Sequence, residues 1–352
     1  MACHDGAVTT ARAPLPEAMG WGRRVTVAPM AGGATTPGLV AAAERHGAFA
    51  QLAAGYLDAA TLRDRIRRTR ALGASRFGVN LFAPHPHAIA PDRYAAYWSE
   101  IAGDARRVLP DATMPPLMED DDDWHAKVDV VLAERVPVVS ITFGLPDPAS
   151  LARLRDAGVV TVQTVTTAAE AAAAARAGVD ALVVQAAAAG GHSGVWAPDV
   201  VPADVPLPQL VGEVRAATTL PIVAAGGIAS RGDARAALEA GADAVAVGTA
   251  ALRADEVGTS ATYRAALAGD GVDRTALTRA FTGRYARALV TPFVTAHADA
   301  PSGYPALHHL TRPMRAAAAT AGDASLLHLW AGTGWRSARE APIATILDDL
   351  EP

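Results

Sequence analysis

A histidine on a glycine loop, Gly190-Gly191-His192-Ser193-Gly194, is the residue of this chain best suited to acid–base chemistry. Imidazole changes charge near neutral pH, so His192 is the best candidate for a general base. The plainer alternative is a loop histidine bonded to backbone. Glycine recurs in two later stretches, Val223-Ala-Ala-Gly226-Gly227-Ile228 and Ala244-Val-Ala246-Val247-Gly248-Thr249. Each reads as an apolar strand that stops in glycine and exposes backbone N–H groups with no Cβ in the way. Two such neighbouring ends can grip a phosphate. Asn80, late in Gly78-Val79-Asn80-Leu81, offers an amide that bonds a heterocycle edge or ties down a loop. The small residues of Ala28-Pro29-Met30-Ala31-Gly32-Gly33 let a flat ring lie against backbone, and equally suit an ordinary strand-to-helix turn. Gln185 ends another apolar run just before the His192 loop. The chemistry implied is that of a phosphorylated small molecule beside one acid–base group.

Those residues need a scaffold that brings strand ends together. Short β-branched runs occur at 25–29, 49–53, 77–81, 138–143, 160–165, 181–185, 221–226 and 244–248. Ala/Leu/Arg segments with helical period separate several of them, for example 151–157, 168–177 and 231–240. Thr167 and Asp233 stand near helix starts, where a side-chain oxygen caps free N–H groups. Nearly all-apolar strands joined by helices predict a parallel sheet covered on its faces. About eight such units predict an α/β fold closed as a (β/α)8 TIM barrel, with active residues at the C-terminal strand ends. An open doubly wound sheet is the alternative. After residue 252 the rhythm breaks, and 253–325 reads as an additional helical lobe on the substrate side. Residues 1–24 read as an N-terminal extension, with 25–252 and 326–352 forming the barrel.

The chain has 352 residues, 51% hydrophobic, enough for a large core, and its net charge of -5 with no basic stripe argues against nucleic acid as a partner. No segment reads as membrane-spanning, and residues 1–14 lack a secretory apolar region. Cys3 is the only cysteine, which excludes a disulfide within the chain and favours a cytoplasmic location. The acidic run Glu119–Asp123 reads as a solvated loop or helix start, and no metal site is expected. His46, His85, His87, His125, His297, His308, His309 and His328 read as structural or loop residues, with His308 placed near the mouth.

Several strand ends together resemble the nitronate monooxygenases, formerly 2-nitropropane dioxygenases. The matching pieces are Ala28–Gly33, Ala53-Ala-Gly-Tyr56-Leu57, Phe77–Phe82, Val139–Gly144, Gln185, Ala189–His192, Ala225–Ile228 and Gly248-Thr249. Phe281–Arg287 and Leu329–Gly332 extend the resemblance, which spans about Val25 to Gly334. It implies an FMN-dependent oxidation of alkyl nitronates, with or without neutral nitroalkanes, by dioxygen to a carbonyl compound and nitrite. It also implies roles. Ala28, Pro29 and Met30 would support the flavin ring, and Asn80 and Gln185 would bond its polar edges or the ribityl chain. Gly190, Gly191, Gly226, Gly227, Ala246, Val247, Gly248 and Thr249 would hold the phosphate end. His192 would be the catalytic base or anion-stabilising group, and Tyr304 would line the substrate pocket. Departures from the family pattern at Ala186, Ala188, Ser193 and Thr333 put substrate identity in question rather than the cofactor. An FMN-dependent NAD(P)H:quinone or enoyl reductase on the same barrel is the alternative. A barrel of the IMP dehydrogenase type is disfavoured because it needs a loop cysteine.

Overall fold

The computed structural model describes residues 22–84 and 88–352; most of the N-terminal extension with Cys3, and the pair His85 and His87, lie outside them. Eight parallel strands form the barrel: β1 (Val25–Val27), β2 (Gln51–Ala53), β3 (Gly78–Phe82), β4 (Val138–Thr142), β5 (Val160–Val165), β6 (Ala181–Gln185), β8 (Ile222–Ala225) and β9 (Ala244–Val247). The two-residue β7 (Gly191–His192) stands apart from it. The barrel order is β1-β9-β8-β6-β5-β4-β3-β2. A parallel bridge between Val27 and Ala50 closes the ring, and Val27 N donates to Phe49 O at 2.9 Å. Each strand lies within about two residues of its sequence reading.

Alternation along each strand explains closure and site together. Outward residues such as Val79, Leu81, Val139, Ile141, Leu182, Val184, Val245 and Val247 are buried beneath the surrounding helices. Inward residues are apolar at the floor, where Phe49, Val138, Val162, Ala181, Val223 and Ala244 pack together. Toward the C-terminal end the inward residues turn polar: Asn80, Ser140, Thr142, Thr164 and Gln185. The register aligns Ala53 with Asn80, Asn80 with Ser140, Gln185 with Ala225 and Ala225 with Ala246, so the strand ends reach one level. Helix starts are capped as the sequence suggests, with one refinement. Thr167 caps 168–177, whereas the cap of 231–239 is Ser230, with Asp233 reaching back from the first turn to Ala229 N at 3.0 Å.

The lobe after residue 252 is not wholly helical. Strands β10 (Thr275–Thr278) and β11 (Ala286–Leu289) pair antiparallel with each other, and β11 pairs with β7 through Ala286 opposite His192. Runs of four residues carrying Thr and Arg have too little periodicity to be read as strands. The lobe core joins Phe281, Leu289 and Phe293 to Leu307, Leu310 and Met314 of the helix Ala306–Ala321. It also takes in Tyr94, Tyr97 and Ile101 from the helix after β3, and Leu326 to Trp335. Helix Ile343–Leu350 lies on the barrel, burying Ile343, Ile346, Leu347 and Leu350.

The acidic run is a helix start, as expected, yet its centre is not solvated. Lys127 Nζ lies 2.7 Å from Asp122 Oδ2, with Lys127 fully buried and the contact outside hydrogen-bond alignment. Asp122 Oδ1 accepts from Tyr56 N at 2.8 Å, which ties the run to the barrel mouth. Desolvation raises the Asp122 pKa to about 6, with Lys127 opposing. A carboxyl raised in the folded state contributes stability below its unfolded pKa and loses it as pH rises toward 6. Lys127→Met removes the cation that opposes the shift and raises that carboxyl further. Thermal unfolding is therefore expected to show a loss of about 3–5 kcal/mol at pH 8 and a distinctly smaller one at pH 5. Equal losses at both pH values would rule out Asp122 as the group responsible.

Candidate active site

The barrel mouth opens into a cavity of about 640 Å³ between the strand ends and the lobe. Its wall includes Ala28, Pro29, Met30, Asn80, Gln185, Gly190, Gly191, His192, Gly226, Gly227, Ala246, Val247, Gly248 and Thr249. The structure thus brings nearly every residue singled out from the sequence to one space. Tyr304 packs with Phe82 and Phe143 at the cavity's aromatic end, 5.7 Å from the His192 ring.

One end of the cavity is built from backbone. Gly227 has φ 78°, a left-handed conformation that other residues adopt only with strain. Gly190 is required by crowding instead: a Cβ there would stand 2.5 Å from Gly332 N and 2.7 Å from the Ala331 carbonyl carbon. Thr333 N donates to Ala188 O and ties the loop 188–190 to the segment 331–333, while Gly332 N donates to Thr249 Oγ1 and ties that segment to the end of β9, both at 3.0 Å. Thr249 Oγ1 accepts from Gly332, so its own proton is free for a ligand.

The strand ends carry acceptors. Asn80 Nδ2 donates to Ser140 Oγ at 2.9 Å and Thr142 Oγ1 at 3.0 Å, which leaves Oδ1 as its acceptor. Gln51 Oε1 lines the cavity, buried and without a partner. Gln185 braces the histidine loop: its Oε1 accepts from Gly194 N at 2.6 Å and its Nε2 donates to His192 O at 3.3 Å. Its Oε1 is thus already engaged, and its second Nε2 hydrogen is the group it has to offer a ligand.

His192 stands where barrel and lobe meet. Its Nε2 lies 2.8 Å from Thr282 Oγ1, leaving Nδ1 as the nitrogen for a ligand. Phe143, Tyr304 and Trp330 surround the ring, with centroids 5.8, 5.7 and 5.3 Å away. Burial pushes the His192 pKa down to about 3, and the charges of Arg284 and Arg315 add to the shift. Arg315 donates to His308 Nδ1 and to His328 Nε2, both at 3.3 Å. Those nitrogens must be acceptors, so both rings are neutral. Both pKa values lie well below the ordinary range, desolvation first and Arg315 next. His308 also stacks on Tyr56 at 3.9 Å.

Arg284 is fully buried. Its Nη2 donates to Val195 O, while Nε and Nη1 have no partner. Its Cζ lies 4.0 Å from the centre of the Phe143 ring. Among the described residues, no carboxylate forms an ion pair with Arg284 or Arg315. A buried unpaired ion costs several kcal/mol, and a cation–π contact returns only about 0.5–2 kcal/mol. The site therefore holds a standing excess of positive charge.

The sequence assigned no role to Gln51, Thr282, Arg284, Arg315 or Trp330. Thr282, Arg284 and Trp330 lie in segments that carry the family resemblance, Phe281–Arg287 and Leu329–Gly332, which was the signal that could have found them. Of the remaining histidines, His46 pairs with Asp348, His297 with Asp104 and His309 with Asp120, at 2.9, 2.9 and 2.8 Å. Among the described residues, no cluster of His, Cys, Asp and Glu could hold a metal ion, and no helix is long and apolar enough to cross a membrane.

Comparison with known proteins agrees with this geometry. A solved structure of a nitroalkane oxidase from Streptomyces ansochromogenes is 44% identical, covers 94% of this chain and 95% of its own, and superposes with a TM-score of 0.89. FabK from Thermotoga maritima is 25% identical, with coverage of 97% and 95% and a TM-score of 0.73. A probable nitronate monooxygenase of Staphylococcus aureus strain JH9 is 31% identical over 323 residues, 90% of each chain. The family model described as nitronate monooxygenase matches residues 23–352. With that match over the barrel, the lobe and the His192 loop, the chain belongs to the nitronate monooxygenase family of oxidoreductases.

Proposed function

We propose that this enzyme binds FMN and oxidises alkyl nitronates with dioxygen to a carbonyl compound and nitrite, accepting neutral nitroalkanes more slowly. The observation that carries the preference for the anion is the pair of buried guanidiniums, Arg284 and Arg315, that lack a carboxylate partner near His192.

The cavity suits FMN on three counts. The close backbone approach at Gly190 and the left-handed Gly227 make a glycine-lined hollow for a phosphate. The unpartnered Gln51 Oε1 and Asn80 Oδ1 are acceptors for a heterocycle N–H. The small residues Ala28, Ala225 and Ala246 leave room for a flat ring. Bound there, FMN would supply the electron-accepting chemistry that no side chain possesses.

The chain's own residues select and hold the substrate. Phe143, Tyr304 and Trp330 crowd the His192 ring and limit the water that reaches it. Nδ1 of the neutral imidazole accepts the α-proton of a nitroalkane, while Thr282 holds Nε2 and fixes the ring. An imidazole of such depressed basicity has little driving force for that step, so a substrate arriving already deprotonated gains most. The positive field of the two arginines favours the same form.

An absorption spectrum of the purified protein followed by anaerobic titration tests the reading. Flavin bands that bleach on ethylnitronate and persist with NADH are expected. Protein that neither carries nor takes up FMN would defeat the cofactor assignment. Bleaching by NADH alone would establish the reductase alternative.

A further inference from the structure

We propose that Arg284 is a specificity-determining residue, a buried guanidinium with no counter-ion among the described residues, laid on Phe143 beside His192, whose charge makes the site prefer the anionic nitronate to the neutral nitroalkane. The proposal rests on the nitronate reading above and deepens it by assigning the preference to one side chain.

The local chain geometry ties Arg284 to the catalytic base. Both belong to the seam where β11 pairs with β7, and one turn, 280–285, serves both residues. Thr282 Oγ1 meets His192 Nε2 at 2.8 Å and lies 3.3 Å from the Arg284 carbonyl oxygen, to which it can donate. Phe143 then lies between the two side chains, its ring centre 4.0 Å from the guanidinium carbon and 5.8 Å from the imidazole centre. Phe143 itself has φ 81°, a strained conformation for a non-glycine residue, which places its ring under the guanidinium. Nothing in this arrangement neutralises the charge. The nearest acidic influence on Arg284, after the neutral Tyr304 and Tyr56 hydroxyls, is Glu170. That carboxylate is occupied by Thr166 N and Trp196 N, at 2.6 and 2.9 Å.

A fixed cation here acts twice. It lowers the potential energy of an anion at the His192 ring face, and it opposes a proton on the imidazole, so the base stays weak. Arg284 is accordingly a positioning residue that acts through the field at His192. The other groups facing that ring are Arg315 and His308 from helix 306–321, His328 and Trp330 from the following segment, and Tyr304. Arg315 spends its donors on the two histidines and on Thr311 Oγ1. Arg284 keeps two donor nitrogens unspent, which singles it out.

The test compares kcat/KM for ethylnitronate and nitroethane in wild type, Arg284→Gln and Arg284→Lys, each FMN-loaded and at one pH. Glutamine removes the charge and keeps an amide at the position of Nε; lysine restores the charge without the fork. The nitronate-to-nitroethane ratio is expected to fall at least tenfold in Arg284→Gln and to recover toward wild type in Arg284→Lys. A purely structural role would lower both substrates together. A ratio within twofold of wild type in folded Arg284→Gln overturns the proposal. Imidazole NMR of 15N-histidine protein, assigned with His192→Asn, reads the same field without turnover. Wild-type His192 is expected to stay neutral at pH 5 and to titrate at higher pH in Arg284→Gln. A wild-type ring titrating near 6.5 would defeat the proposal even if the Gln variant failed to fold. If neither substrate is turned over, the nitronate reading fails, and the titration still decides whether Arg284 governs His192.

Discussion

Replacing His192 with asparagine is expected to leave FMN loading intact and to lower kcat/KM for nitroethane by roughly 10²–10⁴-fold, the span of a lost general base. The loss for ethylnitronate should be much smaller, because that substrate brings no α-proton to remove. The expectation follows from where the ring sits. His192 extends from β7, and the backbone that would cradle the phosphate is set by Gly190, Gly227 and Gly332 without its side chain. Asparagine gives up the Thr282 contact, yet the loop keeps its backbone pairing with β11 and the bond from Gln185 Nε2 to His192 O, neither of which needs the imidazole. The informative measurement is a pair of steady-state assays, one with freshly neutralised nitroethane and one with its pre-formed anion. Turnover of nitroethane at the wild-type rate would remove His192 from the proton-transfer step. Equal losses for both substrates would make it an anion-holding group instead. The depressed imidazole also predicts that kcat/KM of wild type for nitroethane has no acid limb from His192 between pH 5 and 8, since its neutral form dominates throughout that window.

The barrel was legible because its signal is local and repeated. Apolar runs such as Val138–Thr142 and Ala181–Gln185 are short, β-branched and separated by helical period, and parallel pairing needs no more specific code. Strand ends were legible for a related reason. A backbone that must approach another backbone leaves glycine in the sequence, and Gly190 and Gly227 are where that happens. What the sequence hid is whatever depends on contacts between distant segments. Gln51, His192 and Arg284 come within one site only after closure, and Thr282 meets His192 across 90 positions. The strands β10 and β11 were hidden because each is four residues long and gains its partner from the tertiary fold. Asp122 illustrates the converse. Five consecutive acids look like a solvated surface, and one of them is turned inward against the buried Lys127, a turn later.

Gly190→Ala is expected to abolish stable FMN binding, with at least a 100-fold rise in dissociation constant. The added methyl would lie 2.5 Å from Gly332 N, 2.7 Å from the Ala331 carbonyl carbon and 2.8 Å from Thr249 Oγ1. Two of those three atoms are backbone, so no side chain can rotate away, and the loop 188–190 must separate from 331–333. That separation pulls Gly332 from Thr249, which moves the hydroxyl assigned to the phosphate end. Strain of this sort costs about 1–3 kcal/mol of folding stability in the unliganded protein, small enough for a folded apoprotein to survive in a barrel of this size. The ligand loss is larger because several phosphate contacts share the same hollow and fail together. Gly103→Ala is the matched control: it lies in the helix Pro91–Val108 with nothing within 4 Å of its added Cβ. That change should bind flavin normally and gain up to about 1 kcal/mol from helix propensity. Fluorescence titration of apoprotein with FMN reads the affinity, and thermal unfolding of the same apoprotein reads the strain. If Gly190→Ala binds FMN as tightly as wild type does, the hollow between Gly190, Thr249 and Gly332 is not the phosphate site. If it binds weakly while its unfolding temperature falls only slightly below that of wild type, the loss belongs to the hollow itself, because a protein that is globally damaged would lose both.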